Sequence, residues 1–295
     1  MNGDESDAGA GACRELRFEG HAGVCLRADA WGDPDAPAVL LLHGGGQTRH
    51  AWGGTAAALA REGRFAIALD LRGHGESAWD PAGDYRLATF AADLERVLAH
   101  FERPPALVGA SLGGLTILLA AETSGFSPSA VVLVDVAPRI EPEGTRRITE
   151  FMTQRPEGFA SLEEAALQIA AYTRERSREP NPAGLAKVLR RGDDGRYRWH
   201  WDPRFISGSG PSELVERERL LAAARRIAAP ALLVRGRHSD VLSHEGAAEL
   251  LAALRDAEFV DVSGAGHMVA GDRNDAFSEA VCGFLRRRAP IRGRG

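Results

Sequence analysis

The chain has a single lysine, Lys187, among its 36 basic residues, and three cysteines, Cys13, Cys25 and Cys282. Schiff-base chemistry therefore has one candidate, and Lys187 sits in a charged, helix-like stretch with no apolar pocket around it in sequence. The cysteines are odd in number, scattered and without C-x-x-C spacing, which excludes a disulfide framework and a thiolate zinc site. A reducing cytoplasm is the expected compartment. Other metal-ligand spacings are absent as well. No apolar run approaches the ~20 residues that span a bilayer. The first residues, Met1 to Ala12, carry neither a basic n-region nor an apolar h-region, so they read as a disordered leader and not as a secretory signal. With 41 acidic residues and a net charge of -5, the chain offers no electrostatic footprint for nucleic acid or an anionic membrane. There is no internal repeat.

What is present is the balance of a globular protein, 44% hydrophobic and 26% charged over 295 residues. Residues 14–31 alternate apolar and polar about Gly20-His21-Ala22-Gly23, the pattern of an opening β-hairpin. Short apolar runs then recur at 38–42, 65–69, 105–108, 130–134, 231–234 and 258–262. Most are followed by a turn and a helical period, for instance 87–101, 112–121, 245–254 and 275–288. Strand, loop and helix repeated in this way predict an α/β fold, a mainly parallel sheet with helices on both faces. Ligand sites of such sheets lie beyond the carboxyl ends of the strands. One stretch breaks the rhythm. Residues 139–212 show amphipathic helical segments (145–152, 161–175 and 183–191) and the aromatic cluster Tyr197, Trp199, His200, Trp201, but no buried strand. They are expected to form a helical cap. The remaining divisions are a leader over 1–13, a core of 14–138 and 213–288, and a basic tail over 289–295.

Two glycine-rich turns follow buried strands. Gly109-Ala110-Ser111-Leu112-Gly113 lies between a strand and an apolar helix. A serine on so sharp a turn needs neighbours without bulk two residues away on either side, and the next residue then offers a backbone N–H at the helix N-terminus. His43-Gly44-Gly45-Gly46 lets backbone N–H groups approach a reacting carbonyl, and it fits neither the Rossmann nor the P-loop spacing. His43 is expected to be structural. A serine needs a base and an orienting carboxylate. His267, in Gly264-Ala265-Gly266-His267-Met268, follows the last strand, and Asp240, in Gly236-Arg237-His238-Ser239-Asp240, follows the one before it.

Over residues 14–288 these motifs together resemble the α/β-hydrolase-fold serine hydrolases, the esterase and cofactor-free haloperoxidase-like group. The turn Asp70-Leu71-Arg72-Gly73-His74-Gly75-Glu76-Ser77 resembles the one that follows the family's fourth strand, with Arg72 and His74 structural. The resemblance implies Ser111 as nucleophile, His267 as base and Asp240 as acid, with the N–H groups of Gly45 and Leu112 as the oxyanion hole. Asp135, in Val134-Asp135-Val136, ends a strand on the same side and is the alternative acid; His238 and His244 are weaker alternative bases. Trp199 and Trp201 line a substrate pocket or pack the cap onto the sheet.

The implied reaction is hydrolysis of a carboxylic ester of a small apolar substrate through an acyl-enzyme, without cofactor or metal. Perhydrolysis, lactone opening and C–C bond hydrolysis use the same triad, and a non-catalytic ligand receptor is a further alternative. A serine at the elbow, where epoxide hydrolases and haloalkane dehalogenases place an aspartate, excludes their alkyl-enzyme route. A small molecule is the only partner implied, and oligomeric state is left open.

Overall fold

The computed structural model describes residues 13–123, 125–139, 141–172, 185, 187–207, 217–263 and 275–291. His267, residues 1–12, the last four residues, and residues 173–175, 183, 184 and 186 of two expected cap helices lie outside these residues.

An antiparallel hairpin opens the chain, β1 (Arg14–Glu19) against β2 (Cys25–Trp31), and β2 pairs antiparallel with β4 (Phe65–Leu69). The remaining strands run parallel: β3 (Ala38–Leu42), β5 (Ala106–Ala110), β6 (Ala130–Val134), β9 (Ala231–Gly236) and β10 (Ala257–Val262). Their order across the eight-stranded sheet is β1-β2-β4-β3-β5-β6-β9-β10. The connections leaving the neighbours β3 and β5 run to opposite sides, to β4 and to β6, and a crevice opens at such a point in doubly wound sheets.

Strand periodicity divides the core in two. Leu40 and Leu42 of β3 face one apolar layer, Val39 and Leu41 the other. The first layer is completed by α2 (Leu87–Leu98), α3 (Leu112–Ala120), α7 (Arg217–Arg226) and α8 (His244–Ala253); the second by α1 (Gly53–Arg61) and α9 (Asp275–Arg288). Because both faces are covered, the central strands read as continuous apolar runs and not as alternations. The α/β expectation and most element boundaries agree with this architecture to within about four residues.

Between β6 and β9 lie α4 (Pro142–Thr153), α5 (Leu162–Tyr172), a short α6 (Arg204–Ser207) and a hairpin of β7 (Leu189–Arg191) with β8 (Tyr197–Trp199). The hairpin corrects the helix expected to reach residue 191. Gly192-Asp193-Asp194-Gly195 turns the chain, with Gly195 at φ +78° and Gly192 N–H bonded to the Arg196 carbonyl at 2.8 Å. Such turn chemistry outweighs a weak helical period. Tyr197 and Phe159 exchange both backbone hydrogen bonds, at 2.7 and 2.8 Å, so the hairpin is tied to the segment before α5.

Candidate active site

Steric demand explains the Gly109–Gly113 turn. Ser111 sits at φ +45°, ψ −112°, a left-handed conformation costly for any residue with a side chain. It is half-buried in a run of buried neighbours. A β-carbon at Gly109 would lie 2.6 Å from the Gly113 carbonyl, one at Gly113 2.5 Å from the Leu42 carbonyl oxygen, and one at Gly114 2.4 Å from Val136. Helix α3 can therefore start directly under the serine only with glycine at these places. Leu112 is the first residue of α3, and no acceptor among the described residues takes its N–H.

The loop after β3 comes up against this elbow: a β-carbon on Gly44 would stand 3.4 Å from Ser111 Cβ. Its peptide groups are held from behind. His43 Nε2 accepts the Leu71 N–H at 3.0 Å, so the ring proton is on Nδ1, which donates to the Gly44 carbonyl at 2.8 Å. Gln47 N–H donates to that same carbonyl at 3.1 Å, and the buried Gln47 Oε1 accepts the Gly44 N–H at 2.9 Å. Two donors on the Gly44 carbonyl fix the peptide plane whose opposite end is the Gly45 N–H. That N–H has no acceptor among the described residues either. Gly46 N–H likewise has no acceptor among the described residues, and the buried Gln47 Nε2 and Thr48 Oγ1 have no partner there.

Three buried imidazoles lie beneath the loop: His43, His74 and His200 have ring centroids 5.2 and 5.8 Å apart in succession. Burial pushes His43 down to about 4 and His74 down to about 3, and it pushes His200 well below the ordinary imidazole range. All three are neutral at pH 7, and His43 has the structural place expected of it. Arg72 is equally buried, held by Asp93 at 2.6 Å and Asp80 at 2.5 Å.

The two candidate acids have different surroundings. Ala110 and Val134 are register partners in the parallel pair β5–β6, and Ser111 N–H bonds the Val134 carbonyl at 3.0 Å. Ser111 and Asp135 therefore leave adjacent strands side by side. Asp135 is buried at φ +51°. Its Oδ2 accepts from Ser239 Oγ at 2.8 Å and its Oδ1 from the Gly236 N–H at 3.2 Å. Asp240 is one strand further out. Its carboxylate is 35% exposed and paired with Arg147 of α4 at 2.7 Å, so the side chain expected as acid ties the β9 loop to α4. Of the alternative bases, His238 is exposed and His244 stands 3.3 Å from Arg235 Nη1. His267 is outside the described residues.

Aromatic residues cover the loop. Phe205 would be 3.5 Å from a β-carbon on Gly45, and Met152 and Trp201 would be 3.0 and 3.5 Å from one on Gly46. Trp199 stacks on Trp201 at 4.7 Å and 11°, with its other contacts to Phe151 and Phe159. Trp201 thus borders the loop, and Trp199 packs behind it against Phe151 and Phe159. Sequence reading passed over Ser239, Gln47 and the role of His200. Gln47 lies three residues beyond Gly44 and Ser239 three beyond Gly236, spacings that put a side chain back over its own turn.

Residues 39–280 match the model of the alpha/beta hydrolase family. The chain is 32% identical to the esterase Rv0045c of Mycobacterium tuberculosis over 86% of its own length and 84% of that protein. It is 30% identical to a 3-hydroxybutyrate-oligomer hydrolase of Cupriavidus necator, over 80% and 85% respectively. A crystal structure of an alpha/beta hydrolase from Novosphingobium aromaticivorans superposes with a TM-score of 0.76 at 26% identity, covering 93% of this chain and 98% of that one. On fold, elbow and these likenesses together, the chain belongs to the alpha/beta hydrolase family.

Proposed function

We propose that the protein hydrolyses carboxylic esters of small, apolar-bodied substrates through an acyl-enzyme. Ser111 is the nucleophile, His267 the base and Asp135 the acid that orients it. The observation that carries this reading is the strained serine elbow with two unpaired N–H groups, Gly45 and Leu112, beside it. Ester hydrolysis by relatives similar over four-fifths of the chain supports the reaction class.

In this reading Ser111 Oγ attacks the ester carbonyl while His267 takes its proton. The carbonyl oxygen becomes an oxyanion held by the Gly45 and Leu112 N–H groups, each such donor worth roughly 3 kcal/mol in the transition state. His267 then protonates the departing alkoxide, and water repeats the sequence on the acyl-serine, returning acid and free enzyme. Asp135 is preferred to Asp240 because an orienting acid must be held in place, and Asp135 leaves the strand beside that of Ser111. A backbone N–H and a hydroxyl donate to its two oxygens, whereas Asp240 is already committed to Arg147. Met152, Trp201 and Phe205 put apolar surface against the Gly45–Gly46 loop, which suits an apolar-bodied substrate.

A fluorophosphonate probe and p-nitrophenyl esters from acetate to octanoate test the proposal. Wild type should label and turn over, with a preference for short acyl chains, and Ser111→Ala should lose both, activity falling by ~10⁶-fold. Turnover that survives in Ser111→Ala, or a folded wild type that neither labels nor hydrolyses, would refute it.

A further inference from the structure

We propose that His200, contributed by the cap segment, is a positioning residue for the oxyanion donor Gly45. The inference rests on the serine-hydrolase reading above. His200 is fully buried between the loops after β3 and β4 and touches both. Its Nδ1 accepts the Gly75 N–H at 2.6 Å, so the ring proton resides on Nε2. Nε2 in turn faces the Gly46 carbonyl at 3.3 Å as a donor.

The Gly46 carbonyl and the Gln47 N–H belong to one peptide plane, and the Gln47 N–H donates to the Gly44 carbonyl at 3.1 Å. The Gly44 carbonyl and the Gly45 N–H belong to the next plane. A line of donors therefore runs from Gly75 N–H to His200, from His200 to Gly46–Gln47, from there to Gly44–Gly45, and ends at the free Gly45 N–H. Every link points the same way, toward where the oxyanion forms. Aligned bonds of this kind polarise one another in a low-dielectric interior, and rigid peptide planes carry orientation from one link to the next. Gly46 is at φ +75°, and the His200 donor on its carbonyl holds this peptide plane together with the Gln47 N–H bond to Gly44.

His43 performs a similar office directly on the Gly44 carbonyl and remains when His200 is changed. The loss on changing His200 should therefore be partial and confined to the transition state. It should stay below the ~10²–10³-fold cost of deleting an oxyanion donor outright.

Two isosteres separate the imidazole's two nitrogens. In His200→Gln the terminal amide reaches the Nε2 position and keeps a donor for Gly46. In His200→Asn the amide reaches only the Nδ1 position and keeps an acceptor for Gly75. With thermal melts confirming that both fold, kcat and KM for one p-nitrophenyl ester are measured beside the Ki of a matching trifluoromethyl ketone, whose serine adduct carries the oxyanion. The expected result is a Gln variant within about threefold of wild type. The Asn variant should have kcat about tenfold lower, KM unchanged and the ketone weakened in the same proportion. Equal losses in both variants, or a loss confined to KM, would overturn the relay while leaving the serine mechanism intact. A wild type that neither hydrolyses the ester nor binds the ketone would remove that mechanism, and the relay with it.

Discussion

Two corners of the sheet flank Ser111, and they hold their polar groups by opposite means. On the β3–β4 side, Gly45 N–H is aimed by glycine peptides backed with the neutral rings of His43 and His200. On the β6–β9 side, a carboxylate, Asp135, is buried under a hydroxyl and a backbone N–H. In the proposed mechanism the first corner meets a charge that exists only during reaction, which neutral donors fixed in advance suit. The second holds a carboxylate in place through a donor on each oxygen. A positive charge in the first corner or a lost donor in the second would undo each by a different route, and this makes the contrast testable.

The largest of these effects falls on stability in acid. In the unfolded chain a histidine titrates near 6.5, while burial holds His43 near 4 and His74 near 3 in the folded protein. Between these values the unfolded state binds protons that the folded state refuses. Stability is therefore full above pH ~6.5 and lost as pH falls toward 4, by up to about 1.4 kcal/mol per pH unit for each ring. Urea midpoints at pH 7.5, 6 and 5 should decline, and His74→Leu should make the decline shallower. A pH-independent midpoint would mean that the rings are not held neutral.

A smaller effect is expected in the other corner. Ser239→Ala removes one donor to Asp135 and should lower kcat about tenfold, the order of a hydrogen bond to a charged group, about 1.5 kcal/mol. It should leave KM and the acid stability profile alone. An unchanged kcat would show that the Ser239 hydroxyl does not help to hold Asp135.

What could be read in advance differs between the corners for a physical reason. At the Gly109–Gly113 elbow a β-carbon would collide with backbone, and Gly46 takes a positive φ, so the constraint leaves its mark on residue type. The parallel sheet announced itself likewise, because strands buried on both faces are continuously apolar. The choice between Asp135 and Asp240 left no such mark. Both follow strands on the same edge, and what distinguishes them is a positive φ, a register with Ser111 and a partner 104 residues away in sequence, Ser239. The cap was harder still. Its hairpin depends on a four-residue turn, and His200 acquires its role only through contacts with two distant loops.

Asp135→Asn beside Asp240→Asn tests most directly which aspartate serves Ser111 in the proposed mechanism. With kcat/KM for a short p-nitrophenyl ester and the rate of fluorophosphonate labelling as readouts, Asp135→Asn should lose ~10⁴-fold in turnover, as when a triad carboxylate is neutralised. Asp240→Asn, which breaks only the half-exposed pair with Arg147, should stay within about threefold of wild type. A collapse in Asp240→Asn with Asp135→Asn near wild type would contradict the assignment.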